Sequence, residues 1–481
     1  MVSLRASARF GRVASPSLSP PAKEYSANVI SNIHIENYKS IIDLPLELGR
    51  VNVFIGENGA GKSNILEAIA LAGAAAANKL DNEFLASRGI RVVRPADMRP
   101  AFTGNDPKIA ITVTATAENG GRIGYSIAND NKPYSKWRAT ALLDPNLGGA
   151  EFIARISSTL TRIAPKRSPK VSENNAVGTD GIKKIANADT PALEDLVRVL
   201  KSLDEKLTPI LAEADKGEFS EPRSIELSQS EGAILSEALL ATQDRDAQRE
   251  LSEFVTYSPE NSVLRASHAE AQIEPLGIKG EGVSKLFAFY LSEALGGKDI
   301  DEESVHRARS LLDSVDRSLR MLGWFDGLRL GKEKQEDSLE LRDYYVEEEG
   351  RHFELSSANE GFFFLLFYFL LFSSNLTPAF FAIDNIDASL NPALCRNLVS
   401  ELVILAKKHD KQVILTTHNP AILDGLNLDD DEQRLFVVSR NMDGETCAER
   451  IRKPKSFENL PHLKMSEAFM RGLIGGLPTK F

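Results

Sequence analysis

The chain has 481 residues, of which 42% are apolar and 26% charged, so it is neither a disordered nor a fibrous protein. Its formal net charge of −11 excludes a protein that covers nucleic acid over its whole surface and leaves only a local basic patch for such contacts. Two cysteines are too few for a disulfide framework, and they predict a protein of the reducing cytoplasm.

The amino-terminal part of the chain is predicted to contain a tail, several strands and one long helix. We interpret residues 1–28 as a disordered tail, although their arginine- and serine-rich composition is also typical of a transit peptide. Residues 29–139 form the first half of a core, in which apolar and polar residues alternate as they do in strands. The predicted elements are strands around Ile33–Tyr38 and Leu44–Leu48, an apolar strand Val51–Ile55, a helix from Lys62 to about Ala77, and a hairpin of 108–116 and 122–127.

The middle of the chain, residues 140–337, is predicted to be a mostly helical insertion or lid. From residue 338 to 481 strands alternate with helices, which is typical of a parallel sheet covered on both faces. The predicted elements are a hairpin of 339–346 and 351–355, helix 360–373, strand 378–383, helix 392–409, strand 412–417 and strand 434–438. Helix 360–373 contains the longest apolar run. Because that run is about half of a membrane span, it predicts a buried core helix and no membrane anchor.

A glycine-rich motif after the first apolar strand carries the strongest functional signal. Residues 56–63 fit the pattern G-x-x-x-x-G-K-[ST] and lie between a strand and a helix, as a phosphate-binding P-loop does. Backbone N–H groups of the loop are expected to bind phosphates, Lys62 to contact the β- and γ-phosphates, and Ser63 to bind Mg²⁺. The alternative is a chance glycine-rich turn. The predicted ATP-binding residues are Gly56, Asn58, Gly59, Ala60, Gly61, Lys62, Ser63 and Asn64.

Two later strands end in residues suited to the same site. Asp384 follows the apolar residues Phe380–Ile383 and is placed to bind Mg²⁺. His418 follows strand 412–417 and can hydrogen-bond a γ-phosphate, because ligands bind at the carboxyl edge of parallel strands. For both residues the alternative is an ordinary polar residue at the end of a core strand.

Ser356 and Ser357 precede the apolar helix in the segment Leu-Ser-Ser-Ala-Asn-Glu-Gly. One interpretation is a signature loop that touches the γ-phosphate bound to a partner subunit. The alternative is a helix N-cap, with Glu360 in the first turn.

These motifs, in this order, resemble the ABC ATPases of the RecF, SMC and Rad50 class. Within that class the chain looks especially like the OLD-like AAA15/AAA21 ATPases of bacterial anti-phage systems, of the PtuA or AriA kind. The opening segment Ile33–Ser40, Asn64 and the final segment Ser466–Pro478 add to the resemblance. It covers residues 29–125 and 338–481 and no part of the insertion.

The resemblance implies a fold, two ligands and an assembly. The fold is an α/β ABC-ATPase core with a parallel P-loop sheet and an antiparallel β element, interrupted by the helical insertion. ATP and Mg²⁺ are the implied ligands, with Lys39 near the nucleotide. The implied assembly is a homodimer or higher homo-oligomer in which Asn391 and Pro392 lie in a D-loop that faces the partner.

The chain departs from that class at the catalytic position. The class places a glutamate, the general base, after the Mg²⁺ aspartate, whereas Asn385 follows Asp384 here. An amide orients water but does not accept its proton, which predicts slow hydrolysis. Asp387 is a second candidate for the base, although a D-loop aspartate is an equally good interpretation. The predicted catalytic residues are Asn385, Asp387 and His418.

Two further departures concern the nucleotide contacts. Ser357 and Ala358 stand where the class has small glycines, so the backbone of the signature loop cannot approach a ligand as closely. No glutamine occurs between Ser63 and Gln229, so the usual Q-loop ligand is missing or replaced. These changes leave ATP binding intact but favour slow turnover.

The expected partners follow from the same resemblance. Too few residues follow the last predicted strand for a Toprim nuclease domain, so we expect a separate effector, with a nuclease as the leading candidate. A basic stretch within residues 162–184 is either a nucleic-acid contact or a solvated loop. The hypothesis is an ATP-dependent sensor or scaffold of an anti-phage complex. The alternatives are a RecF-like DNA-repair ATPase and an ATPase that regulates a toxin.

Overall fold

The computed structural model of this chain describes residues 29–102, 106, 108–132, 134–142, 245–265, 275–296, 300–331, 339–346, 351–453 and 463–475. The predicted tail 1–28 and the basic stretch within 162–184 lie outside these residues.

The strands and helices predicted for the two halves of the core are confirmed, with small shifts of their bounds. The strands are β1 Ile30–Tyr38, β2 Ile41–Glu47, β3 Val51–Ile55, β4 Ile111–Ala117, β5 Arg122–Ala128, β6 Arg138–Ala141, β7 Thr256–Tyr257, β8 Phe325–Leu330, β9 Leu339–Asp343, β10 Phe353–Glu354, β11 Phe380–Ile383, β12 Gln412–Thr417, β13 Gln433–Arg440 and β14 Thr446–Ile451. The helices are α1 Lys62–Ala76, α2 Asn82–Ser87, α3 Arg245–Ser252, α4 Asn261–Leu264, α5 Val283–Leu295, α6 Glu302–Leu319, α7 Glu360–Ser373, α8 Pro392–Lys408 and α9 Met465–Met470.

A six-stranded sheet in the order β14-β13-β3-β12-β11-β7 forms the centre of the molecule. Its strands run parallel except for β14, which is antiparallel to β13. Strands β3, β11 and β12 are buried along their whole length, as expected for parallel strands covered on both faces. Their carboxyl ends therefore meet at one edge of the sheet, where the predicted site residues follow them.

A second, antiparallel sheet in the order β2-β1-β4-β5-β6 lies across one face of this centre. Helix α1 packs between the two sheets, with Ile65 and Ile69 in the same core as Ile35 of β1 and Phe54 of β3. The alanine-rich sequence of α1 lets both sheets come close to it. This arrangement confirms the predicted fold class: an α/β protein with a parallel P-loop sheet and an antiparallel β element.

Helix α7 fills the opposite face of the central sheet. Twelve of its residues, Phe362–Ser373, are buried, which confirms the predicted core helix. Tyr257 and Phe381 of the sheet meet Phe367 and Phe372 of α7 in edge-to-face ring contacts. These rings fix the helix against β11, the strand that precedes the predicted Mg²⁺ ligand.

The described part of the predicted insertion belongs to the core. Strand β7 pairs with β11 as the sixth strand of the central sheet. Helices α5 and α6 share a hydrophobic core with α7, and α3 packs on α1 at Gly73, where a side chain would meet the carbonyl of Leu251. The described residues 245–331 are mostly helical. That β7 joins the central sheet was not predicted, because a two-residue strand leaves no periodic signal in the sequence.

The predicted hairpin of β9 and β10 is present, and β8 adds a third antiparallel strand to it. Among the described residues, no helix combines the length and the apolar character that crossing a membrane requires.

Candidate nucleotide-binding site

The loop between β3 and α1 has the backbone that a P-loop requires. Gly59 and Gly61 have φ angles of 80° and 111°, in the region that favours glycine. At Gly56 a Cβ atom would lie 2.0 Å from the carbonyl oxygen of Val438, and at Gly61 it would lie 2.1 Å from Thr446 Oγ1. Neighbouring strands thus enclose the loop so tightly that side chains are excluded at both positions. Asn58 and Gly59 lie exposed at its tip, whereas Ala60 is buried.

Lys62 is buried and turns back over the loop. Its Nζ donates hydrogen bonds to the carbonyl oxygens of Gly56, at 2.9 Å, and Glu57, at 3.0 Å. Burial lowers the pKa of Lys62 to about 8, although Asp384, Asp387 and Glu57 act against this shift. A desolvated ammonium that donates to carbonyl oxygens fits an anionic phosphate, which would raise the pKa of Lys62 again.

The predicted Mg²⁺ ligands are brought together by the fold. Ser63 Oγ donates to Asp384 Oδ2 at 3.0 Å, and Thr416 Oγ1 donates to Asp384 Oδ1 at 2.5 Å. A hydroxyl and a carboxylate are the hard oxygen ligands that Mg²⁺ takes beside substrate phosphates. The donor set therefore fits Mg²⁺, with Ser63 and Asp384 as the protein ligands.

The candidate catalytic residues lie around that pair. Asn385 is exposed, has a φ of 58°, and donates its backbone N–H to Thr416 Oγ1 at 2.9 Å. Asp387 accepts a hydrogen bond from Thr417 Oγ1 at 2.7 Å. The two threonines of β12 thus hold the residues that follow β11.

His418 lies at the end of β12. Desolvation and the Lys62 ammonium lower its pKa, while Asp387, the Gly56 backbone and Asp384 act in the opposite sense. The imidazole is therefore neutral at pH 7 and can donate a hydrogen bond without a positive charge. Its electrostatic neighbours place it with Lys62 and Asp387, as the sequence predicts.

Lys39 lies on a tight turn beside α1 and has a φ of 49°. Its ammonium pairs with Glu67, a buried carboxylate of α1 that also accepts hydrogen bonds from Tyr38, at 2.8 Å, and Arg91, at 2.5 Å. Lys39 thus supports the helix that begins with Lys62. Arg91 also reaches Asn64 at 3.4 Å and feels the charge of Asp384, although its side chain is 64% exposed.

A small polar network, which sequence reasoning missed, ties the P-loop to both sheets. Ser40 accepts from Asn64 Nδ2 at 2.7 Å and shares a hydrogen bond of 2.7 Å with Thr446. Thr446 Oγ1 also donates to the carbonyl oxygen of Ala60 at 3.0 Å, and Arg440 donates to that of Gly59 at 2.9 Å. Ser40 and Asn64 lie in segments that carry the family resemblance, whereas Thr446 and Arg440 belong to no motif, so no sequence signal pointed to these two.

Ser356 and Ser357 are exposed on a short 3₁₀ turn before α7. Their hydroxyls donate to the side chain and the backbone of Glu354, at 3.2 and 2.6 Å, rather than to any P-loop residue of the same chain. The N-cap of α7 is Asn359, whose side chain accepts from the N–H of Phe362 at 2.9 Å. The alternative of a serine N-cap is therefore wrong.

The predicted D-loop segment ends in a helix cap of its own. Asn391 accepts from the N–H of Leu394 at 3.0 Å, and Pro392 is the first residue of α8. Ser389, two residues before that cap, has a φ of 59° and donates to Glu360 of α7. The segment after Asp387 is thus held against α7.

The sequence matches the AAA_21 family, "AAA domain, putative AbiEii toxin, Type IV TA system", over residues 51–424. The chain belongs to this family. The matched range begins at β3 and extends beyond β12, so it includes the P-loop motif, the candidate Mg²⁺ ligands and His418. As a member of an AAA-domain ATPase family, the protein is expected to use a nucleotide with Mg²⁺.

Among curated proteins, an uncharacterized protein of Methanocaldococcus jannaschii is 52% identical over 44 residues, which are 9% of this chain and 20% of that protein. This chain thus spans about a fifth of the length of that relative. Similar solved structures include an SMC head bound to the C-terminal winged-helix domain of ScpA, with 13% identity, 89% and 99% of the two chains covered, and a TM-score of 0.48. The SMC head domain from Thermotoga maritima has 14% identity, 88% and 99% coverage, and a TM-score of 0.38.

The lowered pKa of Lys62 predicts that ATP affinity depends on pH. Below pH 8 the free lysine is already charged; above it, phosphate binding must recruit a proton, because the phosphates raise the pKa of Lys62. Affinity should therefore fall as pH rises above 8, by up to roughly tenfold per pH unit. Isothermal titration calorimetry with ATP and Mg²⁺ across this range, in buffers of different ionisation enthalpy, measures both the affinity and the proton uptake.

Two variants serve as controls for this titration. Lys62→Arg keeps its charge over the whole range and should lose the pH dependence, whereas Lys62→Ala removes the cation and should largely abolish ATP affinity. Unchanged ATP affinity in Lys62→Ala would refute the P-loop assignment.

Proposed function

We propose that this protein is an ATP-binding, slowly hydrolysing switch. It acts as the sensor or scaffold subunit of a bacterial anti-phage defence complex and controls a separate effector nuclease. The observation that carries the proposal is Asn385, which occupies the general-base position directly after the Mg²⁺ ligand Asp384. ATP binding then works as a structural signal, since the groups that hold the nucleotide are kept and the group that activates water is replaced.

The contacts around Asn385 support this reading of the site. Its backbone is held by Thr416, the same residue that orients Asp384, so its exposed side chain starts from a fixed position beside the Mg²⁺ pair. An amide in that position donates and accepts hydrogen bonds but takes no proton from water at neutral pH. Mg²⁺, when bound, neutralises charge on the phosphate oxygens. The proposed site therefore keeps the stabilisation by Mg²⁺ but lacks a general base. Proton abstraction by such a base typically accelerates a reaction 10²–10⁴-fold.

A rival account assigns the base to Asp387. Its carboxylate accepts one hydrogen bond from Thr417 and is close enough to Lys62 and His418 to shift their pKa values. If Asp387 reaches the attacking water, hydrolysis is brisk despite Asn385. The two accounts predict opposite results for the same pair of substitutions.

Steady-state phosphate release separates these accounts. We expect wild-type turnover well below about 1 s⁻¹, acceleration in Asn385→Glu and little loss in Asp387→Asn. The matched control is Asn32→Glu, which adds the same charge at an exposed position of β1. Wild-type turnover at or above about 1 s⁻¹ that collapses in Asp387→Asn would establish the rival base and end the slow-switch proposal.

We further propose that two copies complete each other's site. Ser356 and Ser357 are exposed and contact no P-loop residue of their own chain, which agrees with a signature loop that acts on a partner subunit. Arg265 donates to the carbonyl oxygen of Ser356 at 2.7 Å and so holds this turn at the surface.

ATP with Mg²⁺ should therefore promote dimer formation. In Ser356→Arg, bulk and charge at a closed interface should weaken the ATP-bound dimer, as measured by light scattering or analytical ultracentrifugation. Ser310→Arg, at an exposed position of α6, is the matched control and should dimerise as wild type does. A strict monomer at saturating ATP in the wild-type protein contradicts the proposal.

The family description names a putative toxin of a type IV toxin–antitoxin system, which supports a role in such a system as one alternative. The protein would then be an ATPase that regulates a toxin. A RecF-like DNA-repair ATPase is the other alternative.

Purification of the protein with the products of its neighbouring genes, followed by mass spectrometry, distinguishes these functions. Our proposal predicts a co-purifying nuclease whose association changes with ATP and is altered in Lys62→Ala. A co-purifying toxin without nuclease activity supports the ATPase that regulates a toxin. Recovery of the protein alone, bound to DNA, supports the RecF-like DNA-repair ATPase.

A further inference from the structure

The connection between β5 and β6 presents cations and an aromatic ring to solvent. Lys132, Tyr134, Lys136 and Arg138 are all exposed, and Tyr134 is fully so, at 102%. Together with Asp130, Ser135 and Trp137 they line an open concavity at the edge of the antiparallel sheet. We call these four exposed residues the cationic hairpin.

The cationic hairpin is built on a rigid support. Arg99, only 1% exposed, donates to the carbonyl oxygen of Asn129 at 2.7 Å and to Asn131 Oδ1 at 2.8 Å. Its guanidinium also lies 4.9 Å from the ring centre of Trp137, which is 8% exposed. One buried arginine thus fixes both ends of the loop. A preorganised surface loses little freedom when a partner binds to it.

Tyr134 combines two features that the fold does not require. Its φ angle is 63°, which is uncommon for a bulky residue, and its ring contributes nothing to a core. Strained conformations of this kind persist where the surrounding structure enforces them, and they occur often at functional sites. An exposed ring flanked by cations is a platform on which a nucleobase can stack.

The charges of the cationic hairpin are largely uncompensated. Lys132 has Asp130 at 3.6 Å, whereas Lys136 and Arg138 form no ion pair with any of the residues that the structure describes. The chain as a whole carries a charge of −11, so this concentration of positive charge is local. It is the kind of basic patch to which the composition limits nucleic-acid contacts.

We propose that the cationic hairpin binds single-stranded nucleic acid. Lys132, Lys136 and Arg138 would contact backbone phosphates, and Tyr134 would stack on a base. A single strand fits better than an acidic protein segment because a carboxylate-rich peptide offers no planar ring to an exposed tyrosine. It fits better than a duplex because the bases of a duplex are already stacked on one another.

The position of the cationic hairpin relates it to the nucleotide site. Pairing of β1, β4 and β5 places the connection after Ala128 at the same end of the sheet as the turn at Lys39. Arg99, which supports the cationic hairpin, follows Met98, whose carbonyl oxygen accepts the N–H of Lys39 at 3.0 Å. The proposed contact goes beyond the proposed function and does not depend on it, since binding at the cationic hairpin requires neither ATP hydrolysis nor an effector.

Fluorescence anisotropy tests this inference on the full chain in the absence of ATP. The probe is a labelled oligothymidylate of about 16 nucleotides, which is the upper end of single-strand site sizes. The triple variant Lys132→Ala, Lys136→Ala, Arg138→Ala should lose most of the affinity. The slope of log affinity against log salt concentration should fall by about 2, since each phosphate contact on a single strand contributes about 0.7. Tyr134→Ala should weaken binding roughly tenfold, whereas Tyr134→Phe should retain it.

A charge-matched triple variant, Lys285→Ala, Arg317→Ala, Lys464→Ala, removes three exposed cations elsewhere and should bind as wild type does. Thermal melting of each variant shows whether it is folded. Equal affinity in wild type and in a folded hairpin triple variant overturns the inference. A second result also overturns it: polyglutamate at equal charge concentration displaces the oligonucleotide, and Tyr134→Ala does not change the affinity. That result assigns the loop to acidic protein partners. Lys62→Ala should bind the oligonucleotide normally, so failure of the ATP switch and failure of this site remain distinguishable.

Discussion

The hydrogen bond between Ser63 and Asp384 is the interaction on which the nucleotide site depends. It joins residues 321 positions apart, on the helix after β3 and at the end of β11. Strand β12 lies between those two strands and supplies Thr416, which fixes the other oxygen of Asp384. The site exists only when the three strands are in register, so assembly of the buried parallel sheet and formation of the site are one event.

Much of the remaining structure keeps this edge of the sheet rigid. Helix α7 is buried on all sides and locks β11 from one face, while α1 fills the space between the two sheets on the other. Glu67 is a buried carboxylate of α1, and such a charge is costly unless several donors satisfy it. Tyr38, Lys39 and Arg91 do so, which couples the turn after β1 to the helix that begins with Lys62.

The proposed nucleotide site combines the lysine and hydroxyl of a P-loop motif with an asparagine directly after Asp384. Adjacent threonines of β12 hold Asp384, the candidate Mg²⁺ ligand, and Asp387, the rival candidate for the general base. The neutral His418 and the desolvated Lys62 face the same space, and both respond to the arrival of a negative charge. In the proposed function, ATP binding to such a site is long-lived and serves as the signal.

The sequence by itself determined the P-loop, Asp384, His418 and the strands and helices around them. Each of these depends on local patterns, such as the glycine spacing of residues 56–63 or the unbroken apolar run of α7. It did not predict that residues 245–331 belong to the core, because β7 is too short for a pattern and its pairing with β11 spans more than a hundred residues. Nor did it indicate the polar network of Ser40 and Thr446 or the support that Arg99 gives to the cationic hairpin. Those contacts join single polar residues distant along the chain, and only the packing of the two sheets brings them within hydrogen-bond distance.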